Sequence, residues 1–238
     1  TPLLYAVFNG DEALIKLCLD RGADIDNANK EGSTPLMYAV VHKHKYKEMV
    51  KLLLEHGADK NKVNNEGATV LILAAARGYK DMLSEFLDRC TDDIKGIEDL
   101  GAYKNRIDNE LNTALIFAVA TEQMETVQFL LAHGADMNWI HSNGNTPLLE
   151  AVMTNEGVEI IQLLLDNGVD INQKNNIGET ALILAILNED LELVKFLLAN
   201  GADIYIEAEP KVSRSVLPLN YPNQKIKDVL NEHEQKTD

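Results

Sequence analysis

The strongest constraint on this chain is a short phrase that returns at near-constant spacing. It reads LCLDRGADID at Leu17–Asp26, LLLEHGADKN at Leu52–Asn61, LLAHGADMN at Leu130–Asn138, LLLDNGVDIN at Leu163–Asn172 and LLANGADIY at Leu197–Tyr205. Its glycines, Gly22, Gly57, Gly134, Gly168 and Gly201, are separated by 35, 77, 34 and 33 residues. The long step equals two periods plus about eleven residues. A phrase that recurs in phase describes a stacked structural unit, not a solitary chemical site.

A second phrase precedes the first by a fixed offset. It reads TPLLYAV at Thr1, TPLMYAV at Thr34, TVLILAA at Thr69, TALIFAV at Thr113, TPLLEAV at Thr146 and TALILAI at Thr180. Threonine is a good helix N-cap, because its hydroxyl accepts from an orphan backbone N–H, and proline suits the first helical position. The leucine two residues on and the alanine five residues on share a helical face, and the small alanine admits a close neighbour. The second apolar segment, as in EMVKLLLEHG, ends at a glycine able to take the left-handed backbone that stops a helix. Turns rich in Asn and Gly follow: NKEGS, NNEGA, HSNGN and NNIGE. Each unit therefore reads as helix, loop, helix and extended turn. Helices of about ten residues are marginal alone in water, so stacking has to stabilise them.

On these residues the chain resembles the ankyrin-repeat family, with its period near 33, its Thr-Pro-Leu-x-x-Ala phrase and its Gly-Ala-Asp turn. The resemblance runs from Thr1 to about Glu207 and implies an all-α solenoid. It would hold about six repeats, starting near 1, 34, 69, 113, 146 and 180, within a single domain over 1–238. One departure is uniform. The family's histidine after Thr-Pro-Leu is Leu4, Met37, Ile72, Ile116, Leu149 and Ile183 here, residues that should pack and not hydrogen-bond. The tail PNQKIKDVLNEHEQ sets Ile226, Val229 and Leu230 on one side, as expected of a capping helix within 210–238, with Glu207–Pro222 as an irregular strap before it.

The resemblance also implies a function, a protein-binding surface made from turn tips and the outer face of the first helix. Carried over by position, the tips are Lys30, Glu31 and Ser33; Asn65, Glu66 and Ala68; Asn109, Glu110 and Asn112; Ser142, Asn143 and Asn145; Asn176, Ile177 and Glu179. The first-helix positions are Phe8 and Asn9, Val41 and His42, Ala76 and Arg77, Ala120 and Thr121, Met153 and Thr154, Leu187 and Asn188. The middle of the array, with Arg77, Thr121, Trp139, Ile140 and Met153, draws the most attention.

Departures from the period stand out against this baseline. In the third unit Cys90 takes the place of the stop glycine, an insertion follows at 91–107, and Leu111 replaces the turn glycine of the other units. Within the insertion Ile94, Ile97 and Leu100 are spaced as on a helix, with Asp92 or Asp93 as cap and Gly101 as stop. Solenoids tolerate neutral insertions, but this one, with Tyr103, also reads as a protruding finger that packs towards Trp139 and carries partner contacts. Trp139 and Ile140 stand where other units have mostly polar residues, and an exposed tryptophan is a common binding anchor. The segment VHKHKYKEM at Val41–Met49 is a basic loop; His42 and His44 lack the acidic or thiol companions of a metal site.

Composition narrows the function classes. A formal net charge of −16 opposes nucleic acid and anionic membranes, and it either keeps an elongated surface soluble or selects a basic partner. Two cysteines are too few for a disulfide framework and fit a reducing compartment such as the cytoplasm. Cys18 replaces a core leucine and should be a buried, inert thiol, while Cys90 near a helix C-terminus is poorly placed for a thiolate. His56 and His133 precede stop glycines, where a helix end favours them. No phosphate loop, zinc motif or nucleophile elbow occurs. The expectation is a non-catalytic, monomeric scaffold without cofactor or metal, or else the targeting arm of a larger enzyme or bacterial effector whose active part lies outside this segment. The chain opens inside a unit, so a leader or further domain upstream of Thr1 would not be visible.

Overall fold

A computed structural model describes residues 1–41, 46–93, 100–154, 157–204 and 223–237; for 46, 88–93, 100–108 and 236–237 it describes the helical path alone. All regular elements among the described residues are helices. They fall into two compact units, Thr1–Ala135 and Asp136–Asp238.

The first unit holds α1 (Pro2–Asn9), α2 (Glu12–Asp20), α3 (Pro35–Val41), α4 (Tyr46–Glu55), α5 (Val70–Ala75), α6 (Lys80–Asp93), α7 (Leu100–Ala120) and α8 (Met124–Ala132). The second holds α9 (Pro147–Met153), α10 (Val158–Asp166), α11 (Ala181–Leu187), α12 (Leu191–Ala199) and α13 (Gln224–Thr237). Within each pair the helices pack on each other, and the first helices pack in series: α1 on α3, α3 on α5, α5 on α7, and α9 on α11.

The threonine caps form as their chemistry requires. Thr1, Thr34, Thr69, Thr146 and Thr180 each accept, through Oγ1, the backbone N–H three residues on at 3.3–3.4 Å. The glycine stops are equally regular. Gly57 at φ +87° lets the Ala58 N–H reach back to the Leu53 carbonyl at 3.0 Å, and Ala135, Val169 and Ala202 repeat that bond. The residue before the glycine often closes the last turn: His56 Nδ1 lies 2.8 Å from the Leu52 carbonyl and His133 Nδ1 2.7 Å from that of Phe129. These two histidines thus serve helix ends. The aspartates Asp24, Asp59, Asp136 and Asp170 of these turns then accept the N–H two residues on, as Asp59 does from Asn61 at 2.9 Å.

The apolar residues at the family's histidine position all lie in the core, from Leu149 at 0% exposure to Leu4 at 8%. Burying side chains of this size contributes roughly 1.5–3 kcal/mol each, so the stack is held by apolar contact where a hydrogen bond was given up. In the second unit α13 packs on α12 through the fully buried Ile226 and Leu230.

The third repeat corrects the sequence reading. A turn was expected before Thr113, yet α7 runs unbroken from Leu100 to Ala120 and takes in Gly101, Leu111 and Thr113. Gly101 is therefore not a stop, and Thr113 is not an N-cap. The glycines at the position of Leu111 in other repeats, Gly32, Gly67, Gly144 and Gly178, have φ of +77° to +90°. A leucine in that left-handed region would cost about 1–2 kcal/mol, so the helix continues and Leu111 is buried. Likewise α6, Lys80–Asp93, runs past Cys90 and takes in Asp92 and Asp93; a helix that either would cap lies outside the described residues. Cys18 is also corrected: it is half-buried, while Leu53 and Leu130 at the same position are fully buried.

Candidate functional site

The turn between successive repeats is a tight hairpin built by one side chain. Asn29 Oδ1 accepts the N–H groups of Glu31 and Ser33 at 3.0 and 2.9 Å, and the Asn29 N–H donates to the Ser33 carbonyl at 3.0 Å. Asn64 and Asn175 repeat this arrangement, and at the fourth hairpin His141 Nδ1 stands 3.5 Å from the Asn143 N–H. Neighbouring hairpins are tied together. The Asn65 N–H donates to the Glu31 carbonyl at 2.9 Å, and the Asn176 N–H to the Gly144 carbonyl at 3.3 Å. That proximity is why Gly32 has no side chain: a Cβ there would lie 2.7 Å from Asn65 Oδ1 and 3.0 Å from its backbone nitrogen.

The tips therefore stand on fixed supports. Lys30, Glu31, Asn65, Glu66, Ser142, Asn143, Asn176 and Ile177 are exposed, Ser33 and Glu179 are half-buried, and Ala68 is buried. The expected tip of the third repeat does not exist, because Asn109, Glu110 and Asn112 lie inside α7 and Asn112 is only 7% exposed. Asn112 is thereby removed from any binding surface.

The ends of the first helices present the other part of the face. Phe8 and Met153, seven residues after their capping threonines, are 62% and 54% exposed, and Leu187 is exposed at the same position. Arg77, Thr121 and Asn188 are exposed beside them. Thr121 donates to the Phe117 carbonyl at 2.7 Å and Thr154 to the Ala151 carbonyl at 2.9 Å, so both hydroxyls are engaged in ending a helix. Asn145 Nδ2 reaches Glu150 Oε2 at 3.1 Å and the Met153 sulfur at 3.2 Å, which brings hairpin and helix side chains onto one face. Trp139 is half-buried and meets the ring of His141 edge-on at 5.6 Å, while Ile140 beside it is exposed. Ile94, Ile97, His42 and His44 lie outside the described residues, and Leu100 and Tyr103 are described only as the path of α7.

Sequence reasoning missed the residue four after each threonine: Tyr5, Tyr38, Leu73, Phe117, Glu150 and Leu184. One turn before the residue seven on, it shares that residue's side of the helix. Tyr5 is 65% exposed and Phe117 38%. The signal was present, since large apolar residues at a position the core does not use require another explanation.

Among the described residues no three His, Cys, Asp or Glu gather as metal ligands. A cleft of about 470 Å³ at the Thr1 end of the first unit is lined by Leu3, Leu17, Cys18, Arg21 and Asp24 among others, with no histidine beside the thiol. Away from this face, on second helices, Lys47 meets Asp81. There the hydrogen bond from Lys47 at 2.5 Å, and then its charge, hold the Asp81 carboxyl below the ordinary carboxylate value. No helix among the described residues is long and apolar enough to cross a membrane.

The comparisons agree with this architecture. A family profile described as ankyrin repeats (3 copies) matches residues 1–64, 43–140 and 134–208. The ankyrin repeat domain of Bcl-3, described as a unique member of the IkappaB protein family, is similar at 31% identity and a TM-score of 0.71; the match covers 97% of this chain and 98% of that one. EF0377, an ankyrin repeat protein, is similar at 29% identity and 0.63, covering 85% and 98%. The human ASB11 ankyrin repeat domain shares the fold at 22% identity and 0.73, covering 98% and 97%. No curated protein sequence matches the chain. With the threonine caps, the glycine stops and the profile in register over most of its length, the chain belongs to the ankyrin-repeat family.

Proposed function

We propose that this chain is a non-catalytic adaptor that holds a segment of another protein against its first-helix face and hairpin tips. Ankyrin repeats are generally protein-interaction modules. The observation that carries the reading is the split personality of the first helices. One side is sealed in the core, as with Leu36, Ala39 and Val40 at 0% exposure, while the other bears large apolar residues in water, Tyr5, Phe8, Phe117, Met153 and Leu187. Within each unit, exposing such groups is costly unless a partner covers them.

A photo-crosslinking residue placed at Phe8 or Met153 should capture the partner from the source lysate. The same residue at Lys51 or Lys195, exposed on second helices, should not. Equal capture from all four positions, or capture from the second helices alone, refutes the proposal.

A further inference from the structure

The second unit carries a more specific arrangement than an apolar strip. Met153 and Leu187 occupy the same position on the adjacent helices α9 and α11 and are both exposed. Packed helices lie about 8–10 Å apart, so these two side chains form an apolar pair one repeat apart. On the hairpin side stand two carboxylates. Glu150 is held by Asn145 Nδ2 at 3.1 Å, and Glu179 is held by Asn175 Nδ2 at 2.9 Å. On the loop side, directly after Leu187 and Asn188, stand Glu189 and Asp190, and Asn223 Nδ2 lies 3.3 Å from Glu189 Oε2. The apolar pair is thus bordered by negative charge on both sides. Over residues 136–238 as a whole, 17 Asp and Glu face 7 Lys and Arg.

The Glu189 backbone is left-handed, at φ +57°, in a turn where the first unit uses Gly10 and Gly78 at φ +66° and +73° and Glu122 at φ +58°. A carboxylate there is held against a backbone preference for glycine.

Resting on the reading above, we propose that this face selects a partner segment with an apolar centre and lysine or arginine on both flanks. Charge complementarity chooses the occupant: an acidic flank would face like charge on both borders, whereas a basic flank is attracted and steered. The spacing chooses its form, since residues three apart in a polyproline-II segment share one side, lie about 9 Å apart and reach Met153 and Leu187 in turn. Ile177, exposed at the hairpin tip, extends the apolar centre outward.

The test is selection of a displayed library of random twelve-residue peptides on the whole protein. Enriched peptides should carry two large apolar residues three apart, with Lys or Arg outside them. For one such peptide, Met153→Glu and the triple variant Glu150→Lys, Glu179→Lys, Glu189→Lys should each weaken binding at least tenfold. Exchanging the peptide's basic flanks for glutamate should restore binding to the triple variant only. Circular dichroism establishes that the variants fold. Enrichment of acidic flanks, no enrichment at all, or an unchanged affinity in a folded triple variant overturns the inference. If the partner still crosslinks at Phe8 or Met153 while this charge preference is missing, the adaptor reading stands and only the recognition rule falls.

Discussion

Four helix-loop-helix turns in this protein share one backbone geometry but not one residue type, which makes their energetics testable. After α1 and α5 the left-handed residue is Gly10 or Gly78; after α7 and α11 it is Glu122 or Glu189, at φ +58° and +57°. The hydrogen bonds are the same in each. The Gly10 N–H donates to Val7 O at 3.0 Å and the Glu122 N–H to Val119 O at 3.0 Å, and the next N–H reaches back to Ala6 O at 3.0 Å or Ala118 O at 2.8 Å. Because the bonds match, the residue types differ only in backbone preference. A left-handed L-residue costs about 1–2 kcal/mol, and glycine returns roughly 0.5–1 kcal/mol of that as entropy lost on folding. Glu122→Gly should therefore stabilise the protein by about 0.5–1 kcal/mol, and Gly10→Ala should destabilise it by a similar amount. Urea unfolding followed by circular dichroism reads both as shifts of the midpoint in opposite directions with an unchanged slope. Gly78→Ala should cost more than Gly10→Ala, since its Cβ would stand 2.2 Å from Gln123 Oε1 and displace a side chain that donates to the Thr121 carbonyl. A lowered midpoint for Glu122→Gly, together with a neutral Gly10→Ala, would refute the reasoning.

Two further outcomes follow from the structure. Thr180→Ala removes a buried cap and should cost about 1 kcal/mol, whereas Thr113→Ala falls inside α7 and should be neutral or slightly stabilising; paired urea melts separate the two. The Asp81 carboxyl, held low by Lys47, adds stability present above the pKa of an unfolded aspartate and lost as pH falls through its lower folded value; an NMR titration should place its midpoint below 3.8, and Lys47→Met should bring it back.

The divide between what the sequence could and could not tell follows the range of the forces involved. Threonine caps, glycine stops and the asparagine hairpins act within a few residues, so each is written locally, and their repetition gave the period, the helix pairs and the family resemblance. The same locality placed Ser142, Asn143, Asn176 and Ile177 at hairpin tips, and Met153 and Leu187 at the ends of first helices. Locality also misled at the third repeat. Gly101 has the composition of a stop, but helix propagation through Leu111 was decided by the missing left-handed position and by burial of that leucine and of Asn112 against the core. Cys18 shows the same limit, since its neighbours in sequence match those of Leu53 and only the packing around it distinguishes a half-buried thiol from a fully buried leucine. Which of the repeated positions face water, and therefore that Tyr5, Phe117 and Glu150 share a surface with the residues seven after each threonine, was settled by helices packing side by side. Burial depends on neighbours that are a whole repeat away in the chain, and no short phrase contains them.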